Sequence, residues 1–177
     1  PNGGGKSTLL RLVLGLLEPT SGSVQIFGRP AGSLEARRMI GYLPDVPRFP
    51  RHLSARELVR FHGRLAGLPI SGLDARVDDM LGRVGMAEAA DRQIGTYSKG
   101  MLQRIGLAQA LVHDPQVVIL DEPSAGLDPL AADELAALLA LLRAEGRTVL
   151  ITTHQLAAVE ELCDRVAILH RGRLVAV

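Results

Sequence analysis

The sequence predicts a single α/β domain: a mostly parallel sheet flanked by helices, with a helical segment inserted. Three observations lead there. Strand-like and helix-like stretches alternate through the C-terminal part, the pattern of parallel strands joined by crossover helices. Residues 116–120, Gln-Val-Val-Ile-Leu, form an unbroken apolar run after Asp114-Pro115, as in a strand buried on both faces. Residues 46–101 carry little strand signal, with helical periodicity broken by Gly, Pro and Ser. The 177 residues suit one domain, and 47% hydrophobic content with only 3% aromatics implies a core of Ala, Leu, Val and Ile.

Taken in order, Gly3-Gly4-Gly5 is a turn and 7–17 reads as a helix, ended by Glu18-Pro19-Thr20-Ser21-Gly22. Residues 23–27 and 39–43 read as strands, the second stopped by Pro44. Helices follow at 54–65 and 73–84. Ser54 caps the first, and Glu57 three residues later completes a capping box. Residues 100–112 read as a helix, 116–120 as the buried strand, 130–144 as a long Ala/Leu helix closed by Gly146, and 148–152 as another buried strand. A helix at 156–162 and strands at 165–169 and 174–177, separated by His170-Arg171-Gly172, complete the chain.

Composition excludes several classes. The formal net charge is +1 with no dense basic block, so no nucleic-acid partner is expected. The apolar runs 12–17 and 135–142 fall far short of the roughly 18–20 residues that span a bilayer. Cys163 is the only cysteine, so no internal disulfide forms. The chain opens in loop chemistry rather than a leader, and is read as a fragment.

Five groups of residues carry chemistry. Asn2-Gly3-Gly4-Gly5-Lys6-Ser7-Thr8 supplies the end of a phosphate-binding loop, whose opening glycine would precede Pro1. Glycines there let backbone N–H groups face phosphate oxygens, and the helix start adds its positive end. Eighteen of the twenty basic residues are Arg, yet position 6 is Lys, a compact point charge where a guanidinium fork would not fit. Asp121 and Glu122 end the apolar strand, at the sheet edge where ligands bind. Ser98-Lys99-Gly100-Met101 opens a helix, a second place for an anion or simply an N-cap. Ser124-Ala125-Gly126-Leu127-Asp128 follows Pro123, and His154 follows the strand 148–152.

The order and spacing of these groups resemble the nucleotide-binding domain of ABC transporters, over essentially the whole chain. The glycine-rich loop resembles Walker A, 117–122 resembles Walker B with its glutamate, and 98–101 resembles the signature loop. Residues 124–128 resemble the D-loop, and His154 the switch histidine. Tyr97-Ser98-Lys99-Gly100-Met101 and Gly41-Tyr42-Leu43-Pro44 look most like ATPases paired with ABC-2 type exporter permeases. The resemblance implies a P-loop NTPase fold, with a RecA-like core at 1–45 and 102–177 and a helical signature subdomain at about 46–101. It implies ATP and Mg²⁺ as ligands. Residues 2–8 would bind nucleotide, Ser7 and Asp121 would hold the metal, and Lys6, Glu122 and His154 would act in hydrolysis. Ser98–Met101 and Asp128 would serve an ATP bound by a second, homodimeric copy.

The implied partner is an integral-membrane permease facing Phe49, Leu53 and Leu58, which places the domain in the cytoplasm on the inner face of the cell membrane. Two positions depart from the family: Lys99 where Gly is common, and Asp45 where Gln usually contacts metal or water, a shorter, charged residue that the resemblance still places as a third contact to the metal. An ionised Asp only accepts hydrogen bonds, while Gln also donates. A non-transport ABC ATPase of the translation-factor or repair kind, and a degenerate regulatory domain, stay open as alternatives. The adenine-stacking aromatic of the family lies upstream of this chain.

Overall fold

In the computed structural model, residues 4–154 and 163–177 are described. The expected helix at 156–162, and Asn2 and Gly3 of the loop, lie outside them. The order is α1 (Lys6–Val13), β1 (Gln25–Ile26), β2 (Arg29–Pro30), α2 (Leu34–Arg38), β3 (Ile40–Leu43), α3 (Ala55–Leu65), α4 (Leu73–Arg83), α5 (Lys99–Leu111), β4 (Val117–Asp121), α6 (Pro129–Ala144), β5 (Thr148–Thr152), β6 (Ile168–His170) and β7 (Arg173–Ala176).

The central sheet has the order β3-β4-β5, all parallel, with Ile40 opposite Val117 and Asp121 opposite Thr152. Its two faces are covered by different helices. Val118, Leu120 and Leu43 join the large cluster built with α3, α4, α5 and α6, while Ile40, Val117 and Ile119 pack with Leu10 of α1. Burial on both faces explains why β4 reads as a continuous apolar run rather than an alternating one. The helices within 46–101 share that large cluster with the sheet, so they are anchored by Leu58, Val59, Val77, Met80 and Leu81.

Several elements differ from expectation. α1 stops at Val13, four residues early. Gly15 takes φ 65°, and Gly15 N and Leu16 N donate to Leu12 O (3.1 Å) and Arg11 O (2.8 Å), a Schellman stop. Leu16 and Leu17 mimic a continuing apolar face but are exposed. Gly15 also lies against Gly32. A Cβ on Gly15 would overlap the Gly32 backbone, and one on Gly32 would sit 3.3 Å from Gly15 Cα. α2 is an addition that the sequence reading did not include. Its five residues are too few for periodicity, and it is set by Ser33, whose Oγ accepts from Ala36 N at 3.2 Å. The strand expected at 23–27 is two residues long and pairs antiparallel with β2. β5 is not buried throughout: Thr148 and Leu150 are exposed, because β5 is an edge of the three-stranded sheet among the described residues. β6 and β7 form a separate antiparallel hairpin, since two residues suffice to join antiparallel strands but not parallel ones. Leu58 is 2% exposed and belongs to the core, whereas Phe49 and Leu53 are half-buried beside it.

The capping box of α3 forms in full. Ser54 N donates to Glu57 Oε2 at 2.8 Å, and Glu57 N donates to Ser54 Oγ at 3.2 Å. Ser54 is buried, and its backbone also bridges Gln93. Ser54→Ala is expected to destabilise by about 1–2 kcal/mol. On a thermal melt that is a fall of roughly 2–4 °C per kcal/mol for a chain of this size. An unchanged melt would show the box to be energetically idle.

Candidate active site

α1 begins without a side-chain cap. Its N-cap is Gly5 at φ 100°, and no acidic residue occupies the first turn. The first backbone amide to find a helical acceptor is that of Leu9, bonded to Gly5 O at 2.9 Å. The amides of Lys6, Ser7 and Thr8 precede it at the positive end of the helix, where an anion is favoured. Ser7 and Thr8 are exposed there.

Glu122 stands one residue past β4, at φ 48°. A non-glycine residue rarely adopts this conformation. Its backbone N–H is fixed from β5, donating to Thr152 O at 3.0 Å and facing Thr152 Oγ1 at 3.2 Å. The turned backbone delivers the carboxylate to two partners. Lys6 Nζ donates to Oε1 at 2.9 Å, and His154 Nδ1 lies 2.8 Å from Oε2, with His154 N at 3.3 Å. Burial, the largest influence, pushes the Glu122 carboxyl upward, but the bonds from Lys6 and His154 together outweigh it and hold it below the ordinary carboxylate value. An ionised carboxylate only accepts, so His154 Nδ1 carries the hydrogen and Nε2 is left for another group. Lys6, Glu122 and His154, spread over 148 positions of the sequence, are thus one connected chain at the carboxyl edge of the sheet.

Asp121 is half-buried at the end of β4 and accepts from the hydroxyl of Thr152, its register partner. Asp45 is exposed in the bend after β3. Burial first, then the charge of Asp121, raise the Tyr42 phenol above its usual range; Arg11 opposes them and Asp45 adds to them. No cluster of three or more His, Cys, Asp or Glu suited to a metal occurs among the described residues. The available donors, Ser7 hydroxyl and Asp121 carboxylate, are hard oxygens. Such a pair fits Mg²⁺, which takes one or two protein oxygens and draws the rest from phosphates and water.

Ser98–Met101 are not joined to Lys6 or Glu122. They open α5, where Ser98 Oγ accepts from Met101 N at 3.3 Å. This first turn faces the loop after Glu122: the Lys99 side chain fills the space a Cβ on Gly126 would need, and Gly100 approaches Leu127. Asp128 caps α6, accepting from Ala131 N at 2.9 Å, with Pro129 in the first turn. The sequence reading missed two residues that set the site. Thr152 ties β5 to both acids, and a polar residue ending a buried strand was the available signal. Gln103 is buried in α5 and donates to Pro123 O at 3.0 Å, the carbonyl next to Glu122.

A family model described as ABC transporter matches residues 1–125. An uncharacterized ABC transporter ATP-binding protein of a Nostoc species is 41% identical over 99% of this chain and 53% of its own length. The bacitracin transport ATP-binding protein of Bacillus licheniformis is 38% identical over 98% of this chain and 57% of its own. The Nod factor export ATP-binding protein I of a Rhizobium species is 36% identical over 99% and 59%. The chain therefore spans somewhat more than half the length of these curated relatives. Among solved structures, an ATP-binding subunit of an ABC transporter superposes with a TM-score of 0.90 at 34% identity, covering 99% of this chain and 74% of that one. With the P-loop fold, the acids at the sheet edge and these likenesses in agreement, the chain belongs to the ABC transporter family.

Proposed function

We propose that this chain is the part of an ABC transporter that binds Mg²⁺-ATP and hydrolyses it, powering export through a separate membrane permease. The observation that carries the reading is the Lys6–Glu122–His154 chain at the sheet edge beside Asp121. The γ-phosphate would take the Lys6 ammonium from Glu122 and receive the amides that open α1. Freed from Lys6, the Glu122 carboxylate accepts a proton from the attacking water, and His154 Nε2 faces the transferring group. Ser7 and Asp121 would hold Mg²⁺, which would supply charge neutralisation for the phosphates.

In this reading Ser98–Met101 cover the ATP of a second copy, and the copies pair about a two-fold axis that completes both sites at once. Residues 46–101 act as the signature subdomain. A groove of about 740 Å³ lined by Tyr42, Pro47, Phe49, Leu53 and Phe61 is the face offered to the permease. No helix among the described residues is long and apolar enough to cross a membrane, so attachment to the cytoplasmic face through that partner accounts for the transport role. The relative named for Nod factor export favours the export direction.

Light scattering on the full-length protein tests the pairing. With Glu122→Gln blocking turnover, saturating Mg²⁺-ATP is expected to convert monomer to dimer, and Lys6→Ala is expected to abolish the shift. A protein that binds ATP yet stays monomeric would overturn the pairing. Failure to bind ATP at all would overturn the proposed function.

A further inference from the structure

The β6–β7 hairpin is poorly explained as a packing element. All four residues of β7 are exposed, and Ile168 and His170 of β6 are exposed as well. Its tip, however, is engaged. Arg171 and Gly172, at φ 47° and 75°, form a two-residue turn of the I′ type, in which arginine at the first position is a costly choice where Asn, Asp or Gly is usual. From that turn Gly172 N donates to Gly4 O at 3.0 Å. The approach is close: a Cβ on Gly5 would stand 3.1 Å from Gly172 Cα and 3.5 Å from Gly172 N.

The bond has a consequence for the neighbouring amide. The carbonyl and N–H of a trans peptide lie in its plane and point in opposite directions, and none of the peptides among the described residues is cis. Fixing Gly4 O outward on Gly172 therefore turns Gly5 N–H the other way, to the side away from the hairpin. Gly5 N–H immediately precedes the amides of Lys6, Ser7 and Thr8 at the start of α1, which have no acceptor among the described residues.

We propose that Gly172 is a positioning residue for nucleotide: the β6–β7 turn clamps the outer carbonyl of the phosphate loop and so aims Gly5 N–H at the phosphates. This rests on the proposed function, since it assigns the loop to a nucleotide. It requires glycine at position 172 for its backbone angle alone, because a Cβ there would meet nothing within 4 Å.

That separation makes the test clean. Mg²⁺-ADP binding is measured by titration calorimetry on the full-length protein with Gly172→Asn, Gly172→Ala and Gly172→Val. Asn tolerates the left-handed region, Ala less so, and a β-branched residue least. Kd is expected to stay within about threefold of wild type for Asn and to rise about tenfold for Val, with Ala between; a strain of about 1–2 kcal/mol corresponds to that range. The control is Gly28→Val, in the other I′ turn, Phe27-Gly28 at φ 46° and 76°, which also has open space around it. It imposes the same strain away from the phosphate loop and is expected to leave Kd unchanged. Should Gly172→Val fail to fold, the Asn-to-Ala order in Kd decides the matter. Equal Kd for wild type and the Gly172 variants, or equal shifts at positions 172 and 28, would overturn the positioning role while leaving the proposed function intact. A wild type that binds no Mg²⁺-ADP would sink both.

Discussion

Glu122→Gln is expected to lower ATP turnover about 10³-fold, within the range usual for loss of a general base. The substitution keeps the size of the side chain, but removes the charge and the ability to take a proton and replaces one of the two oxygens that accept from Lys6 and His154 by an NH₂ that can only donate. Steady-state phosphate release with the full-length protein is the measurement, and activity within tenfold of wild type would remove Glu122 from the chemistry. The same substitution carries a pH signature in stability. The Glu122 carboxyl is held below its ordinary value in the folded chain, against the upward push of burial, by Lys6 and His154. Its ionic stabilisation is therefore present above the unfolded value, about 4.3, and is lost as pH falls through the lower folded value. Thermal melts of nucleotide-free wild type and Glu122→Gln are expected to differ most near neutral pH and to converge in acid. Curves that stay parallel would mean that the ion pair contributes no net stability.

Gly15→Ala is expected to destabilise by about 3–5 kcal/mol, the sum of a left-handed non-glycine residue and a backbone overlap. Its Cβ would run into the Gly32 backbone, which has no rotamer to change. Gly22→Ala separates the two contributions, because Gly22 has a similar φ of 78° but open space around it. It is expected to cost about 1–2 kcal/mol, from backbone strain alone. A chain with Gly15→Ala that melts no lower than one with Gly22→Ala would show that the two backbones do not cross as closely as described.

The elements visible in the sequence were those with a local cause. β4 was legible because a strand covered on both faces shows successive rather than alternating apolar residues, here the four from Val117 to Leu120, and α3 because both halves of its capping box lie within four residues. What escaped depends on segments far apart in the chain. The stop of α1 at Gly15 was hidden by Leu16 and Leu17, which continue the apolar pattern although the backbone has already turned away toward Gly32. The exposure of Leu150 depends on β5 lying at a sheet edge, which its own five residues do not encode. At the site, the residue types that make up the motifs at Lys6, Asp121, Glu122 and His154 are recognisable one by one. Their connection is not: it requires the register that sets Asp121 beside Thr152 and the positive φ that swings Glu122 toward Lys6. The Lys99–Gly126 contact likewise follows from α5 packing beside the loop after β4.

The buried bond from Gln103 to Pro123 O has a mechanical meaning. It is a rivet between a helix and the peptide adjoining the proposed water-activating acid. α5 starts at Ser98, the point proposed to press on a second copy's nucleotide, and Gln103 lies little more than one turn further along. A push on the start of α5 is therefore delivered as a tug on the backbone at Pro123, beside a Glu122 already held in an uncommon conformation. In the proposed pairing, closure over one nucleotide would pull on the backbone beside the acid of the other site through the side chain of Gln103.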